Sequence, residues 1–484
     1  MRPDVSYPPQ PPRGAGALVI GSEYRGLGVV RSLGRRGIPV WVLADGHRVA
    51  TASRYAKRVL RWPSSGTESE QLEFLLDAAC RCGIQGWTLY PTGDETAALI
   101  ARHHATLSTH FRLTTPPWEV FRWAYDKRLS YELAATVGVA TPWTACPASR
   151  DEVEHLDCSW PVIVKPAAKP QLNPLTIAKA WRVDNREELL ARYDEARTLV
   201  DSSLIMVQEL IPGGGETQFS FAALCRDGQV LAHVVARRTR QYPVDFGRFS
   251  TYVETIAEPG VEAAARGLLA AMHYTGLVEV EFKRDPRTRR YCLLDINPRV
   301  WGWHTLGDRA GVDFSYLQWQ LVHDEPVPAV NARIGVAWVR LDADLSAAMQ
   351  ELRLGRLSLA SLIPWLRRPV EFAIFTPDDP LPALAAVPDV FTREGSRLIA
   401  HRVSTLIAKV WAHRASRHMS SKPSRETPPA RATAPPMVRV VSSVQSTAFL
   451  TPHQEGTDLP GIPAFGDTQR PASALCDCLQ EVIR

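Results

Sequence analysis

Short apolar runs alternate with amphipathic stretches along the first part of the chain. The runs ALVIG (17–21) and IPVWVLAD (38–45) have the length and composition of buried strands. Between them, SEYRGLG predicts a turn that contains two glycines, and VVRSLGRRG has the spacing of an amphipathic helix. The same order returns with a helix at 70–83, a strand at 86–95 and another helix after it. Because strands and helices that alternate at this spacing form βαβ units, we predict an open α/β domain with a parallel sheet over 14–115.

From 116 to 326 the pattern changes to a mixture of helices and hairpins. A helical stretch covers 118–141, and 203–224 predicts two strands separated by a glycine-rich turn. Two further strands flank a polar loop at 239–246. LVEVEFKR (277–284) and YCLLDIN are joined by the charged turn DPRTRR, which predicts a hairpin. This mixture is typical of an α+β domain.

The two ends of the chain and the region after 326 have less pattern. Residues 327–414 contain a strand-like IGVAWVRLD and helical stretches DLSAAMQELRLG and SLASLIPWLRR, which predicts a mixed α/β extension. The leader at 1–13 is rich in Pro, and the tail at 415–484 is rich in Ser, Pro, Thr and Ala. Such segments cannot bury enough apolar surface to fold, so we expect both to be disordered.

Composition places the chain among ordinary soluble proteins. Apolar residues make up 45% and charged residues 22% of its 484 residues, and the net charge of +5 is a weak bias that a nucleotide partner would satisfy. No run approaches the length of a membrane span, and no apolar core of a secretory signal is visible near the start. The eight Cys, with C-x-C pairs at 80–82 and 476–478, fit neither a zinc site nor a disulfide framework. We therefore expect a cytoplasmic protein with reduced thiols.

Polar side chains alternate where the strand YCLLDIN ends. Asp295, Asn297 and Arg299 occupy every second position, so they lie on one face of the strand, and Pro298 removes an N–H and ends the ladder. A strand that simply stops at a Pro turn would account for the stretch by itself. If the stretch is functional, Arg299 would present a planar cation to a phosphoryl group or a developing oxyanion.

The preceding strand, LVEVEFKR, offers carboxylates to the same place. Glu281 and Glu279 lie two residues apart and hence on one face. In the predicted hairpin Glu281, Asp295 and Asn297 could converge, and two carboxylates with an amide oxygen are the ligands that Mg²⁺ prefers. The sequence therefore predicts a magnesium site on the hairpin.

Lysines and a glycine-rich turn upstream are the candidates for binding a nucleotide. Lys165 ends the apolar strand WPVIVKP, and Lys127 lies in YDKRLSYELA, although a lone lysine is usually a surface residue. Gln208 and Glu209 lead into LIPGGG, where backbone groups could pair with an adenine edge. Glu216 could accept hydrogen bonds from ribose hydroxyls; solvation on a loop is the alternative for both glutamates.

Three further sets of residues have a structural and a functional interpretation. Either Arg237 or Arg238 could bind a substrate carboxylate or the γ-phosphate, or both could belong to a solvated basic edge strand. Asp94 and Glu95 stand at the end of a strand, where ligands bind in such sheets, or form a helix N-cap pair. Trp301 is more typical of packing or of a pocket wall than of catalysis, and so is the Trp two residues later.

The glycines near the start of the chain have a different spacing from a dinucleotide fingerprint. Gly21, Gly26 and Gly28 follow G-x4-G-x-G, whereas the fingerprint is G-x-G-x-x-G. This makes a nicotinamide oxidoreductase a distant alternative.

The order of motifs resembles that of the ATP-grasp superfamily. DKRLSYELAATVGVATP, WPVIVKP, VQELIPGG, VEVEFKR and LLDINPR follow one another as in that superfamily, over about residues 15–326. More narrowly, the chain resembles its predicted carboxylate–amine ligases, relatives of D-aspartate ligase and the carbamoyl-phosphate synthase large subunit. The resemblance implies a pre-ATP-grasp domain at 14–115 and an ATP-grasp catalytic domain at 116–326.

The resemblance also implies roles for individual residues. Lys127 and Lys165 would contact ATP phosphates, Gln208 and Glu209 the adenine, and Glu216 the ribose. Metal ligands would be Glu281, Asp295 and Asn297, and Arg299 would steady an acyl phosphate. Independently of the resemblance, we take Arg238 as a second catalytic candidate.

Two departures from the superfamily concern the metal and the lid. Asp295 stands where members usually have Glu, and the shorter side chain favours monodentate binding or one metal ion instead of two. The loop after Lys165 contains no Gly, whereas most members have a glycine-rich lid there. Lys169 and Lys179 could supply positive charge in place of backbone amides.

Together these observations predict an enzyme. We expect an ATP-dependent ligase that uses Mg²⁺ or Mn²⁺ and joins a carboxylate to an amine or thiol through an acyl phosphate, releasing ADP and phosphate. The alternative is an ATP-binding regulatory or assembly protein of the same fold without turnover. We expect small-molecule carboxylate and amine substrates, no nucleic-acid or membrane partner, and a homodimer as the commonest assembly.

Overall fold

A computed structural model describes residues 15–168, 173–243, 246–247, 249–355 and 368–386. The predicted disordered leader and tail, and nearly all of the predicted helix SLASLIPWLRR, lie outside these residues. The six cysteines described are free thiols. Among the described helices, none has both the length and the apolar character needed to cross a membrane.

The N-terminal region is an open α/β domain, as predicted. Its five strands are all paired in parallel, in the order β3-β2-β1-β4-β5. The strand β3 was not predicted because it is a basic edge strand, AKRVLR, with mostly exposed side chains. The elements are β1 (Ala17–Ile20), α1 (Tyr24–Gly34), β2 (Val40–Ala44), β3 (Ala56–Arg61), α2 (Glu68–Arg81), β4 (Thr88–Pro91), α3 (Asp94–Arg102), α4 (His104–Ser108) and β5 (Arg112–Leu113).

The helix α1 begins earlier than the pattern predicts. Gly26 and Gly28 lie inside it instead of in a turn. A Cβ on Gly26 would lie 2.2 Å from the carbonyl oxygen of Gly21, and a Cβ on Gly28 would lie 2.3 Å from Nε2 of His304. Close packing of α1 therefore accounts for these glycines without a dinucleotide.

A small antiparallel sheet follows, with strand order β6-β9-β7-β8. The predicted single helix over 118–141 is two helices, because the Asp126 side chain accepts a hydrogen bond from the Arg128 N–H at 2.9 Å and caps the second one. Lys127 thereby begins a helix. The elements are α5 (Trp118–Tyr125), α6 (Lys127–Thr136), β6 (Thr144–Ala145), α7 (Arg150–Glu154), β7 (Val162–Pro166), α8 (Pro174–Ala178), β8 (Trp181–Val183), α9 (Arg186–Arg197) and β9 (Ile205–Glu209).

The largest sheet has seven strands in the order β14-β13-β10-β11-β12-β15-β16. The region after 326, predicted as an extension with less pattern, contributes two of these strands and extends the sheet of the preceding domain. The elements are β10 (Gln218–Arg226), β11 (Gln229–Tyr242), β12 (Phe249–Thr255), α10 (Pro259–Ala271), β13 (Gly276–Arg284), β14 (Tyr291–Asn297), α11 (Thr305–Ala310), α12 (Phe314–Val322), β15 (Ala337–Val339), α13 (Leu341–Arg353) and β16 (Val370–Phe372).

The strand β11 is longer than predicted, because it includes the first residues of the predicted polar loop at 239–246. Arg240 and Gln241 are both buried, and the Arg240 guanidinium donates to both carboxylate oxygens of Asp344 on α13, at 2.9 and 2.6 Å. A buried ion pair holds this polar stretch in the sheet, which the polarity of the sequence could not show.

The predicted hairpin of β13 and β14 forms and sets the register of the candidate site. Glu281 pairs with Asp295, and Glu279 pairs with Asn297. Side chains of opposed residues in an antiparallel pair stand on the same face and close together.

The last described segment, 368–386, is fastened to α1 by ion pairs of very different burial. The Asp379 carboxylate is fully buried and contacts Arg31 Nε at 2.9 Å and Ser53 Oγ at 2.6 Å. Its neighbour Asp378 contacts Arg35 at 2.9 Å, with about a third of each side chain exposed. The adjacent acids thus form one buried and one solvated contact with the same helix.

We expect the substitution Asp379→Ala to destabilise the protein by about 3–5 kcal/mol, because it leaves the buried Arg31 charge without its carboxylate. The neighbouring Asp378→Ala should cost about 1 kcal/mol or less, since water screens that pair. Urea denaturation followed by tryptophan fluorescence measures both. Equal losses of stability would show that the burial of Asp379 is unimportant.

Candidate functional site

The charged hairpin face of β13 and β14 meets cations from two other elements. Lys127, at the start of α6, donates from Nζ to Asp295 Oδ1 at 2.8 Å. Arg238, on β11, forms an ion pair with Glu281. The strand ends and the helix start that the sequence singled out are therefore in direct contact.

Lys165 reaches this cluster through a tyrosine. Its Nζ donates to the Tyr131 hydroxyl at 3.0 Å, and that hydroxyl donates in turn to the carbonyl of Leu294, next to Asp295. Burial lowers the pKa of Lys165 to about 8, although the carboxylates of Asp295 and Glu281 oppose the shift. The lysine is thus buried within electrostatic range of the acids.

Tyr131 was missed in the sequence, although a signal was present. It lies four residues after Lys127, and side chains at this spacing share a helix face. Its hydroxyl also accepts from Gln208 Nε2 at 3.1 Å, and burial raises the pKa of Tyr131. Tyr131 therefore connects α6, which begins with Lys127, to Lys165 and to Gln208 on β9.

The structure separates the two candidate arginines of β11. Arg237 pairs with Glu254 on β12, and its side chain is 39% exposed. Arg238 is buried and its Nε donates to Ser250 Oγ at 2.6 Å, besides the contact with Glu281. Because β11 lies between β10 and β12, the interpretation of these arginines as a solvated edge strand is wrong.

Arg299 is held by the N-terminal domain. Its Nε and Nη2 donate to the two carboxylate oxygens of Asp94 at 2.7 and 2.9 Å, and Nη2 also reaches Asn297 Oδ1 at 3.2 Å. Asp94 lies in the first turn of α3, which begins where β4 ends. The sequence indicated Asp94 as a candidate only through its position at the carboxyl end of a parallel strand. Nothing in the sequence indicated that it contacts Arg299.

Beside the predicted metal ligands lies a second buried glutamate, Glu279. It accepts from Trp303 Nε1 at 2.8 Å and from Asn297 Nδ2 at 3.2 Å. Burial and the neighbouring Glu281 charge raise the pKa of Glu279 to about 7. Trp301 and Trp303 are both buried, in agreement with their predicted packing role.

The end of β9, which we call the hinge, is the predicted adenine-binding segment, and several of its polar groups form hydrogen bonds within the protein. Gln208 is buried, and its Nε2 also donates to Thr144 Oγ1 at 2.8 Å. The Glu209 N–H donates to the Trp143 carbonyl at 2.9 Å, so this backbone donor is engaged within the protein. The Glu209 carboxylate accepts from Arg287 Nη2 at 3.0 Å.

The remaining two predicted nucleotide contacts are Glu216, in the short 3-10 helix Gly215–Thr217, and Lys179, directly after α8. Glu216 is exposed, and its carboxylate accepts from the Gly214 N–H at 2.9 Å. Lys283, which the sequence did not single out, donates to the carbonyl of Gly213 at 2.7 Å on the same turn. Lys179 follows α8 with a φ of 66°, and Lys169 lies outside the described residues.

The oxygen atoms on the hairpin fit a hard divalent cation. Glu281 and Asp295 oppose each other in the register, and the Asn297 amide donates from Nδ2 to Glu281 Oε1 at 2.8 Å. Within the described ranges no three His, Cys, Asp or Glu side chains gather as a metal cluster, so any site here would combine two carboxylates with an amide. Such a donor set suits Mg²⁺ that keeps water and phosphate oxygens as its other ligands.

Comparison with known proteins adds a family match and a curated relative. Residues 202–341, which include the hinge strand and the hairpin, match the family model described as ATP-grasp in the biosynthetic pathway with Ter operon. The chain is 26% identical over 231 residues to D-aspartate ligase of Enterococcus faecium (strain Aus0004), a match that covers 44% of the chain and 53% of the relative. The chain thus spans about half the length of this curated relative.

Solved structures share the fold at low sequence identity. An L-amino acid ligase from Bacillus licheniformis has a TM-score of 0.50 at 16% identity, with 64% of this chain and 75% of that chain covered. A biotin carboxylase from Campylobacter jejuni, solved as a β-γ-ATP complex, has a TM-score of 0.54 at 15% identity, with 66% and 74% covered. The chain therefore has the ATP-grasp fold, and its resemblance to the carboxylate–amine ligases of that superfamily is confirmed.

Proposed function

We propose that the protein is an ATP- and Mg²⁺-dependent ligase that activates a carboxylate as an acyl phosphate and transfers the acyl group to an amine. The observation that carries the proposal is the contact between Lys127 and Asp295, at 2.8 Å, with Lys165 one hydrogen-bonded tyrosine away. It brings the cations of the α6 and β7 region to the acids of the hairpin, as binding of a triphosphate requires.

Charge repulsion is the main barrier to this chemistry. A carboxylate must approach the γ-phosphate of ATP although both are anions, and only closely placed cations can offset the repulsion. Lys127, Lys165, Arg238 and Arg299 surround the hairpin face and are largely buried. Burial strengthens each interaction, because fewer water molecules screen it.

The hairpin residues would hold the metal ion. Glu281, Asp295 and Asn297 supply its protein ligands in this proposal, and bound Mg²⁺ would neutralise phosphate charge and orient the triphosphate. The structure supports this with the carboxylates placed opposite each other in the strand register.

The two carboxylates proposed as metal ligands each form an ion pair with a cation of the site. Asp295 pairs with Lys127, and Glu281 pairs with Arg238. When Mg²⁺·ATP binds, Lys127 and Arg238 would exchange these carboxylates for phosphate oxygens. Each buried charge would then keep a partner throughout. This matters because an unpaired buried charge is costly.

The proposed reaction has two displacement steps. A carboxylate oxygen of the substrate attacks the γ-phosphorus, the bond to the β-phosphate oxygen breaks, and ADP leaves. The amine nitrogen then attacks the acyl carbon, the bond between that carbon and the phosphate oxygen breaks, and the nitrogen loses a proton. Arg299, fixed by Asp94, is the group we assign to the acyl phosphate, and a thiol in place of the amine would follow the same steps.

At the other end of the nucleotide, the hinge and its loop would bind the nucleoside. Glu209 and Glu216 flank the turn after β9, and Glu216 is exposed to accept ribose hydroxyls. The names of the similar ligases, D-aspartate ligase and L-amino acid ligase, support an amino acid as one of the joined substrates.

Two adjacent arginines allow a matched test of the site. We expect Arg238→Ala to reduce ADP formation by about 10²–10³-fold, because a buried cation beside the transferring phosphoryl group is lost. Arg237→Ala removes the same side chain from a position that pairs with Glu254 and should leave ADP formation unchanged. The measurement is ADP release by purified protein on a panel of acid–amine pairs.

Equal rates for the two arginine variants would contradict the assignment of Arg238. If the wild-type protein binds Mg²⁺·ATP in calorimetry but no pair on the panel yields ADP, the ligase proposal fails in favour of ATP binding without turnover.

The lowered pKa of Lys165 predicts a pH-dependent nucleotide affinity. With a pKa of about 8 in the free protein, the lysine is mostly charged at pH 7 and mostly neutral at pH 9. Since the phosphates attract the charged form, the dissociation constant for Mg²⁺·ATP should rise about tenfold from pH 7 to pH 9.

The matched variant for this pH experiment is Lys165→Arg, which stays charged across the range and should bind with a nearly constant affinity. Isothermal titration calorimetry of both proteins at several pH values measures the difference. A wild-type profile as flat as that of the arginine variant would exclude Lys165 as the titrating group.

A further inference from the structure

Glu279 has two acceptor oxygens, and both are engaged by donors from the site. Trp303 Nε1 donates to Oε1 at 2.8 Å, and Asn297 Nδ2 donates to Oε2 at 3.2 Å. The residue is 4% exposed, so its carboxylate is buried on the same hairpin face as the proposed metal ligands. The proposed reaction does not use this side chain.

The two ends of the Asn297 amide have different partners. Its nitrogen faces the carboxylates of Glu279 and Glu281, at 3.2 and 2.8 Å, and its oxygen faces Nη2 of Arg299 at 3.2 Å. Carboxylates accept hydrogen bonds and a guanidinium only donates them, so the opposite orientation of the amide would break all three contacts. The neighbours therefore fix which end of the amide is available to a cation.

Glu281 cannot provide this orientation alone. In the proposed function its oxygens are metal ligands, so their geometry changes when the metal binds. Glu279 lies one register pair away, opposite Asn297 itself, and is held by a tryptophan that is buried. Its hold on the amide nitrogen is thus independent of the metal.

We propose that Glu279 is a positioning residue, which clamps the amide nitrogen of Asn297 so that the amide oxygen is presented to the divalent cation. This inference rests on the proposed function, since it assigns the orientation of one of the proposed metal ligands. A neighbour of a metal ligand that fixes its orientation typically contributes 10–100-fold to metal affinity.

The substitution Glu279→Gln tests the clamp with almost no change in volume. Glutamine has one acceptor and one donor, so it cannot accept from both Trp303 and Asn297. At one of these two contacts, two hydrogen-bond donors would then face each other. If the contact is the one with Asn297, the amide of Asn297 can flip, which would turn its nitrogen towards the metal.

The readout is the metal dependence of nucleotide binding, without any need for the substrates. The dissociation constant of ADP is measured by calorimetry in EDTA and in excess Mg²⁺. The EDTA value divided by the Mg²⁺ value is the ratio that measures how much the metal ion strengthens nucleotide binding. We expect Glu279→Gln to reduce this ratio by about 10–100-fold, with the affinity in EDTA nearly unchanged.

A second substitution provides a rescue that a merely structural role would not give. In the background Trp303→Phe the indole donor is absent, so a glutamine at position 279 is free to turn its oxygen towards Asn297. The effect of Glu279→Gln on the ratio should therefore be smaller in this background than in the wild type. An equal effect in both backgrounds would overturn the clamp.

Glu254→Gln is the matched control. It replaces another buried glutamate of the same sheet, one that pairs with Arg237 and Arg368. It should lower the thermal stability without changing the metal ratio, and a reduction as large as that of Glu279→Gln would overturn the inference.

The failure of the inference and that of the proposed function are distinguishable. If wild-type protein binds ADP equally well in Mg²⁺ and in EDTA, the metal site itself is wrong and both proposals fall. If the wild type depends on Mg²⁺ and Glu279→Gln depends on it equally, the metal site stands and the positioning role of Glu279 is wrong.

Discussion

The structure of the candidate site depends on one constraint, that charges buried together must neutralise each other. Lys127 pairs with Asp295, Arg238 with Glu281, and Arg299 with Asp94. Each pair joins different parts of the chain, so the same contacts that hold the candidate catalytic groups also hold helix, sheet and N-terminal domain together. Removing one partner of such a pair leaves a desolvated charge, which makes stability and function difficult to separate at these positions.

The sheet order of the N-terminal domain explains why it takes part in the site. The strands β1 and β4 lie side by side, and the chain leaves their carboxyl ends into α1 and α3. In open parallel sheets this is the edge at which ligands bind. Asp94 stands at that edge and fixes Arg299, so the arginine assigned to the acyl phosphate is oriented by a different domain from the one that supplies it.

The parts of the site that the sequence predicted follow from the alternation of side chains along a strand. Asp295, Asn297 and Glu281 could be placed on one face because the period of a strand is two residues and the hairpin fixed the register. Arg238 was named as the catalytic candidate, but the sequence offered no physical ground for preferring it to Arg237, since that depends on which face of β11 meets the hairpin. Gly28 was misassigned to a turn because the neighbour that requires it, His304, is distant in the sequence. Local pattern thus predicts faces and strand ends, whereas contacts between distant segments require the fold.

The buried environment of Lys165 has a chemical consequence. A lysine whose pKa is about 8 is a neutral, nucleophilic amine in roughly a tenth of the molecules at pH 7. If the site forms an acyl phosphate as proposed, such an amine would compete with the intended acceptor and would itself become acylated. Bound phosphate groups counteract this, because their negative charge keeps the ammonium protonated for as long as they remain. Since an acyl phosphate keeps its phosphate until the acyl group is transferred, the lysine would stay protonated and unreactive for as long as the activated acyl group exists.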